Sequence, residues 1–138
     1  MMPESDNSAQ GRSAPAEPGK RLYIVDDEAM IGEVVEAILR LEGFDPCFFS
    51  DPELALRTFQ EEKSKPELLL TDFLMHPING MELIQRCKQE DPGLKTILYS
   101  GNVGEEIINY YAIKPDRFLA KPFLPKALIE LVQNVLEK

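Results

Sequence analysis

The chain has 138 residues, with 24 Asp and Glu against 15 Lys and Arg, a net charge of −9 and 43% hydrophobic residues. That length and apolar content can fill one core, and the acidity argues against nucleic acid as a direct partner. No run approaches the roughly 18 apolar residues of a membrane-spanning helix, and two cysteines without CxxC or metal spacing, in a chain showing no secretory signal, suggest a reducing, cytoplasmic setting.

Residues 1–20 are rich in Pro, Ser and Gly, lack apolar periodicity and are expected to form a disordered tail. From Arg21 to the end, residues 21–138, strands and helices alternate five times in one domain without internal repeats. The first strand, Leu22-Tyr23-Ile24-Val25, runs into Asp26-Asp27-Glu28. Over residues 28–42 the pairs Met30/Ile31, Val34/Val35 and Ile38/Leu39 recur every four residues, a helical stripe that Gly43 stops. A second strand is expected near Pro46-Cys47-Phe48-Phe49. Ser50 or Asp51 can then cap a helix with Pro52 in its first turn and Leu54, Ala55, Leu56 and Phe59 at its apolar positions. The third strand, Leu68-Leu69-Leu70-Thr71, ends in Asp72. A third helix runs from about Gly80 through Met81, Leu83, Ile84 and Cys87, ending before Asp91-Pro92-Gly93.

The fourth strand, Ile97-Leu98-Tyr99, ends in Ser100. A short fourth helix is expected over residues 104–111. Its Ile107, Ile108, Tyr110 and Tyr111 cover more than one face, so one or two of them should be exposed. The fifth strand, Phe118-Leu119-Ala120, ends in Lys121-Pro122. A fifth helix over residues 125–137 carries Leu128, Leu131, Val132, Val135 and Leu136 on its inner face.

Short continuous apolar runs between helical patterns are the mark of parallel strands buried on both faces. Open parallel sheets bind ligands at the carboxyl ends of their strands. Asp26, Asp27, Asp72, Ser100 and Lys121 should therefore converge at one edge. Taken singly, each has a plain reading: a solvated turn, a capping Asp, a surface lysine. Together they make an oxygen-lined pocket in which three carboxylates repel unless a cation joins them, and such a donor set suits Mg²⁺. Asp72 can accept a phosphoryl group as an acyl phosphate, and Lys121 can neutralise a phosphoryl oxygen.

In order and spacing, these residues resemble the receiver domain of bacterial two-component response regulators, over about residues 20–138. The resemblance implies an α/β, flavodoxin-like (βα)5 fold, doubly wound, with a five-stranded parallel sheet in the order 2-1-3-4-5. It implies Asp72 as phosphoacceptor, with Lys121 and Ser100 beside it, and Mg²⁺ held by Asp27, Asp72, Asp26 through water, and the Leu74 backbone carbonyl. Ser100 and Phe118 match the switch pair, Leu74 and Asn102 flank the path of the hydrolytic water, and the Lys121-Pro122 peptide should be cis. The implied phosphoryl donor is a sensor histidine kinase or a histidine phosphotransfer protein. The output would be a phosphorylation-dependent shift read by a downstream protein on the face of the fourth helix, fifth strand and fifth helix, or onward phosphorelay, with no membrane partner. The chain would not be an enzyme beyond its own phosphorylation and slow autodephosphorylation, and its length suggests a stand-alone receiver.

One stretch departs from the family pattern. Met75-His76-Pro77 stands where Met-Pro is usual, although the spacing from Asp72 to Gly80 is kept. His76, the sole histidine, is expected in an exposed loop. Two alternatives have other outputs. One is a receiver-like adaptor that is never phosphorylated. The other is a small Mg²⁺-dependent phosphatase with an Asp nucleophile, as in haloacid-dehalogenase-like enzymes, but Leu74 and Glu28 occupy the places where its second Asp would stand.

Overall fold

A computed structural model describes residues 19–101 and 103–137. Five strands, β1 (Arg21–Val25), β2 (Asp45–Phe49), β3 (Leu68–Asp72), β4 (Lys95–Ser100) and β5 (Arg117–Ala120), form one parallel sheet in the order β2-β1-β3-β4-β5. The helices are α1 (Ala29–Leu41), α2 (Pro52–Glu61), α3 (Gly80–Glu90) and α4 (Pro125–Leu136), and a 3-10 helix, Glu105–Tyr110, joins β4 to β5. The flavodoxin-like sheet order implied by the resemblance is the one observed. Of the expected tail, residues 1–18 lie outside the described residues, as does Asn102. Lys20 already belongs to the fold: its carbonyl accepts from the Asp45 N–H at 2.9 Å.

The strands alternate in register between two cores. Tyr23, Val25, Leu69 and Leu98 face α2 and α3, packing with Ala55, Phe59, Met81, Ile84 and Cys87. Leu22, Ile24, Leu68, Leu70, Ile97 and Tyr99 face α1 and α4, packing with Val35, Leu39, Leu128 and Val132. A period of two with both faces apolar is why the central strands read as unbroken hydrophobic runs. Each fully buried Leu, Ile or Val side chain contributes about 1.5–3 kcal/mol. Among the described residues, no helix is long and apolar enough to cross a membrane.

Local signals set the helix ends. Asp51, rather than Ser50, caps α2 by accepting from the Glu53 N–H at 3.0 Å, with Pro52 in the first turn. Asn79 and Glu82 form a reciprocal capping box on α3, both bonds 2.8 Å. Gly43, at φ +93°, ends α1 in the left-handed region. Gly80 starts α3 against the Asp72 carbonyl, so closely that a Cβ would stand 2.0 Å from that oxygen.

The fourth predicted helix is corrected: it is a single 3-10 stretch. Gly104 offers no side-chain cap, and the crossover is held from outside. The Gln85 amide on α3 donates to the Ile113 carbonyl at 2.7 Å and accepts from the Ile113 N–H at 2.9 Å. Asn79 donates to the Tyr111 hydroxyl at 3.1 Å. Side chains three apart eclipse in a 3-10 turn, and Ile107, Ile108 and Tyr111 pack against the core while Tyr110 is 81% exposed. One exposed residue of the four agrees with the reading of the stripe.

The close approach of α3 to β3 generates a prediction. Gly80→Ala should destabilise the protein by about 1–3 kcal/mol, because backbone rather than a flexible side chain must yield. Equilibrium urea denaturation measures this. An unchanged midpoint would show that α3 can start elsewhere at no cost.

Candidate functional site

The carboxyl edge of the sheet is built by backbone bonds that continue the strand ladders past the strand ends. The Asp26 N–H donates to the Phe49 carbonyl at 3.1 Å, the Phe73 N–H to Tyr99 at 3.2 Å, and the Lys121 N–H to Ser100 at 2.9 Å. These bonds set Asp26, Asp72, Ser100 and Lys121 side by side. Asp72 and Ser100 are the last residues of β3 and β4, not the first residues after them.

Lys121 lies at the centre. Its Nζ is 3.4 Å from Asp72 Oδ1, 3.5 Å from Asp26 Oδ2 and 3.7 Å from Glu28 Oε1. Asp26 and Asp72 are buried, whereas Asp27 and Glu28 are exposed. Asp26, Asp27 and Asp72 can each present a carboxylate oxygen within 4.8 Å of the others. Asp72 Oδ1 also accepts from the Phe73 N–H at 2.8 Å. Asp26 Oδ1 accepts from the Glu28 N–H at 2.9 Å, and Asp26 Oδ2 from the Tyr99 hydroxyl at 2.7 Å.

Burial first, and then the neighbouring charge of Asp26, push the Asp72 carboxyl up to about 6, against the opposing pull of Lys121. The Tyr99 phenol is raised well above its ordinary range by burial and then by Asp26, so it stays a donor. Three carboxylates with one ammonium in their midst leave excess negative charge. Hard oxygen donors this close together fit a divalent cation such as Mg²⁺.

The remaining predicted residues fall as follows. The Ser100 hydroxyl is buried and accepts from the Val103 N–H at 3.3 Å. Phe118 is half-buried against the α2–α3 core, which the 3-10 helix also covers. Leu74 is 48% exposed in the loop after Asp72. The neighbouring Phe73 carbonyl is taken by the Gly80 N–H at 2.8 Å. His76 is exposed, and the His76-Pro77 and Lys121-Pro122 peptides are both cis. Asn102 lies outside the described residues.

Two contributors were not read from the sequence as site residues. Glu28 follows the acidic pair and reads as the start of the first helix. Tyr99 passed as an apolar strand residue. Its signal is a hydroxyl-tipped ring one residue before the end of a strand that stops at the pocket.

The chain is 28% identical over 120 residues to the DNA-binding response regulator MtrA of Mycobacterium leprae, covering 86% of this chain and 52% of that protein. It is 29% identical over 123 residues to the phosphate regulon transcriptional regulatory protein PhoB of Pseudomonas aeruginosa, covering 87% and 53%. The chain thus spans about half the length of the curated relatives it matches. The crystal structure of a CheY-like response regulator receiver domain protein from Methanospirillum hungatei superposes with a TM-score of 0.79 at 27% identity, covering 86% of this chain and 94% of that one.

These relatives overturn one expectation. Acidity argues against nucleic acid as a direct partner, yet proteins carrying a matching segment include DNA-binding response regulators. Net charge reports on long-range steering toward whichever surface meets the partner, and half of each such relative lies beyond the matched segment. The charge argument therefore does not hold.

The sequence model of the response regulator receiver domain matches residues 22–133. That span takes in β1 from Leu22 onward, the other four strands whole and every acidic and basic residue of the pocket, and the chain belongs to this family, the receiver domains of two-component signalling.

Proposed function

We propose that this chain accepts a phosphoryl group on Asp72 from a phosphohistidine of a sensor kinase or histidine phosphotransfer protein, and signals through the conformational change that follows or by passing the group on. The observation that carries this reading is the Lys121 ammonium, 3.4 Å from Asp72 within a cluster of carboxylates. Asp72 Oδ1 is held by the Phe73 N–H and Lys121, so Oδ2 is the oxygen assigned to attack. Its lone pair forms the bond to phosphorus. The bond from phosphorus to the donor nitrogen breaks, and its electron pair stays on the imidazole. Lys121 neutralises a phosphoryl oxygen as the group arrives.

Asp27, Asp72 and the Leu74 carbonyl would hold Mg²⁺ directly and Asp26 through water. Bound there, the ion would offset the negative charge of the acids and of the incoming phosphoryl group. The chain is proposed to act on itself alone, in the cytoplasm, and nucleic acid stands among the partners the reading admits. The phosphatase alternative finds Leu74 where its second acid is needed, and among the described residues no contact in the site favours an adaptor.

The new group adds roughly −1.5 to −2 charge and three strong acceptors. In this reading the Ser100 hydroxyl turns to donate to one of them, leaving the Val103 N–H, and Phe118 moves toward the space vacated. A shift from 1:99 to 99:1 needs about 5.5 kcal/mol of differential stabilisation. Charge-assisted hydrogen bonds supply about 1.5–3 kcal/mol each, so one or two make a large shift and a bound partner completes it.

Three outcomes test this. With acetyl phosphate and Mg²⁺, intact-mass spectrometry should show the gain of one phosphoryl group, and none in Asp72→Ala; label retained in that variant sinks the assignment.

The raised Asp72 carboxyl gives a pH signature in metal-free buffer. Its folded value, about 6, lies above its ordinary value of 3.8, so protonation favours the folded state. That contribution is complete at low pH and is lost as pH rises through about 6. Asp72→Asn lacks it, so the variant's melting temperature should pull ahead of the parent's between about pH 4 and 6 and hold its lead above. A gap independent of pH would show that Asp72 is not strained by its neighbours.

Leu74 can neither orient nor activate a water, a contribution worth roughly 10²–10⁴-fold where it operates fully. Autodephosphorylation should therefore be slow, and Leu74→Asn should speed it several-fold. Equal or slower loss of label in the variant removes Leu74 from the water's path.

A further inference from the structure

Tyr99 is completely buried, yet it is the polar end of its side chain that reaches the pocket. It sits opposite Asp72 in the β3–β4 register. Its hydroxyl donates to Asp26 Oδ2 at 2.7 Å. Its ring lies under the Lys121 ammonium, 4.7 Å from nitrogen to centroid, and is itself backed by the Phe123 ring at 5.9 Å. One side chain thus touches the second acid and the ammonium together. Asp26 Oδ1 is already fixed by the Glu28 N–H, so the tyrosine bond removes the remaining freedom of that carboxylate to rotate. Without it, Asp26 Oδ2 would have Lys121 as its other close partner, and the ammonium would be drawn from Asp72 toward Asp26.

We infer that Tyr99 is a positioning residue of the phosphoacceptor site: through its hydroxyl it orients Asp26 for the metal's water shell, and through its ring it keeps Lys121 between Asp26 and Asp72. The two tasks separate chemically. Tyr99→Phe deletes the hydroxyl and keeps the ring and its cation–π contact, whereas Tyr99→Leu deletes both. Groups that hydrogen-bond to a metal-binding carboxylate typically matter by 10–100-fold in affinity or activity.

This inference rests on the proposed phosphoacceptor reading, and its test separates the two. Mg²⁺ affinity of the unphosphorylated full chain is measured by calorimetric titration with MgCl₂, with folding checked by circular dichroism. Tyr99→Phe should weaken binding about tenfold. In an Asp26→Ala background, adding Tyr99→Phe should change affinity by less than about twofold, because the hydroxyl acts through Asp26. Labelling by acetyl phosphate should fall further in Tyr99→Leu than in Tyr99→Phe, as Lys121 loses its seat.

Parent protein that binds Mg²⁺ and loses it on Asp27→Asn, but is indifferent to Tyr99→Phe, overturns this inference alone. So does an equal effect of Tyr99→Phe with and without Asp26, which would mark general damage to packing. Parent protein that binds no Mg²⁺ sinks both readings. Should Tyr99→Phe fail to fold, tyrosine labelled with ¹³C at Cζ in the parent supplies the second measurement. The Tyr99 resonance should shift on adding MgCl₂, and a resonance that ignores the ion overturns the proposal.

Discussion

The ammonium of Lys121 is shared by Asp26, Asp72 and Glu28, all within 3.7 Å, and two of those three carboxylates are buried. Burying charge is costly unless every oxygen finds a donor. Here side chains supply some of the donors, the Tyr99 hydroxyl and the Lys121 ammonium, and the main chain supplies the others: Glu28 N–H for Asp26 and Phe73 N–H for Asp72. Such donors stand in place only if the chain leaves each strand at one level. The cross-links between strand ends, from Asp26 to Phe49, Phe73 to Tyr99 and Lys121 to Ser100, enforce that level. The sheet order and register are thus conditions of the pocket's charge balance, because shifting one strand by a residue would carry its acid or base to the opposite face.

That balance is incomplete by construction. Asp72 lies with its carboxyl raised because the low-dielectric floor of the pocket and Asp26 outweigh Lys121. A site relaxed in isolation would have little to gain from a ligand. This one would gain from a cation at the acid cluster, and in the proposed reading the same surplus of negative charge makes an incoming phosphoryl group depend on Lys121 and a metal together. Stability and responsiveness oppose each other at Asp72.

Much of this could be read from the residues because the relevant periods are strict. The runs at Leu22, Leu68, Ile97 and Phe118 each end within one residue of a polar group, and parallel topology then dictates convergence. Asp51 before Pro52 and Gly43 after the α1 stripe marked helix ends through backbone chemistry that does not depend on tertiary context. Tyr99 could not be read in this way. In a strand whose neighbours are Ile97 and Leu98, a tyrosine looks like core, and only the placement of β3 beside β4 shows that its hydroxyl meets Asp26. The crossover was misread for a related reason. The residues 104–111 carry helical spacing, but Gln85 and Asn79, remote in sequence, decide its winding. The inference from net charge failed because composition averages over surfaces that meet different partners.

The crossover's dependence on α3 has a consequence for how such a protein can diverge. Gln85 grips Ile113 by main-chain atoms on both sides, so the grip is indifferent to the side chain at 113. The 3-10 stretch needs no particular helix formers of its own, and Glu105, Glu106, Asn109 and Tyr110 face solvent. An element ordered by its neighbours' contacts can change its outward residues without changing its path. If the proposed phosphoacceptor reading holds and that surface meets a partner, its recognition chemistry could be rewritten position by position while Asp72 and its surroundings are inherited intact, letting duplicated copies acquire separate listeners before their phosphoryl chemistry differs at all.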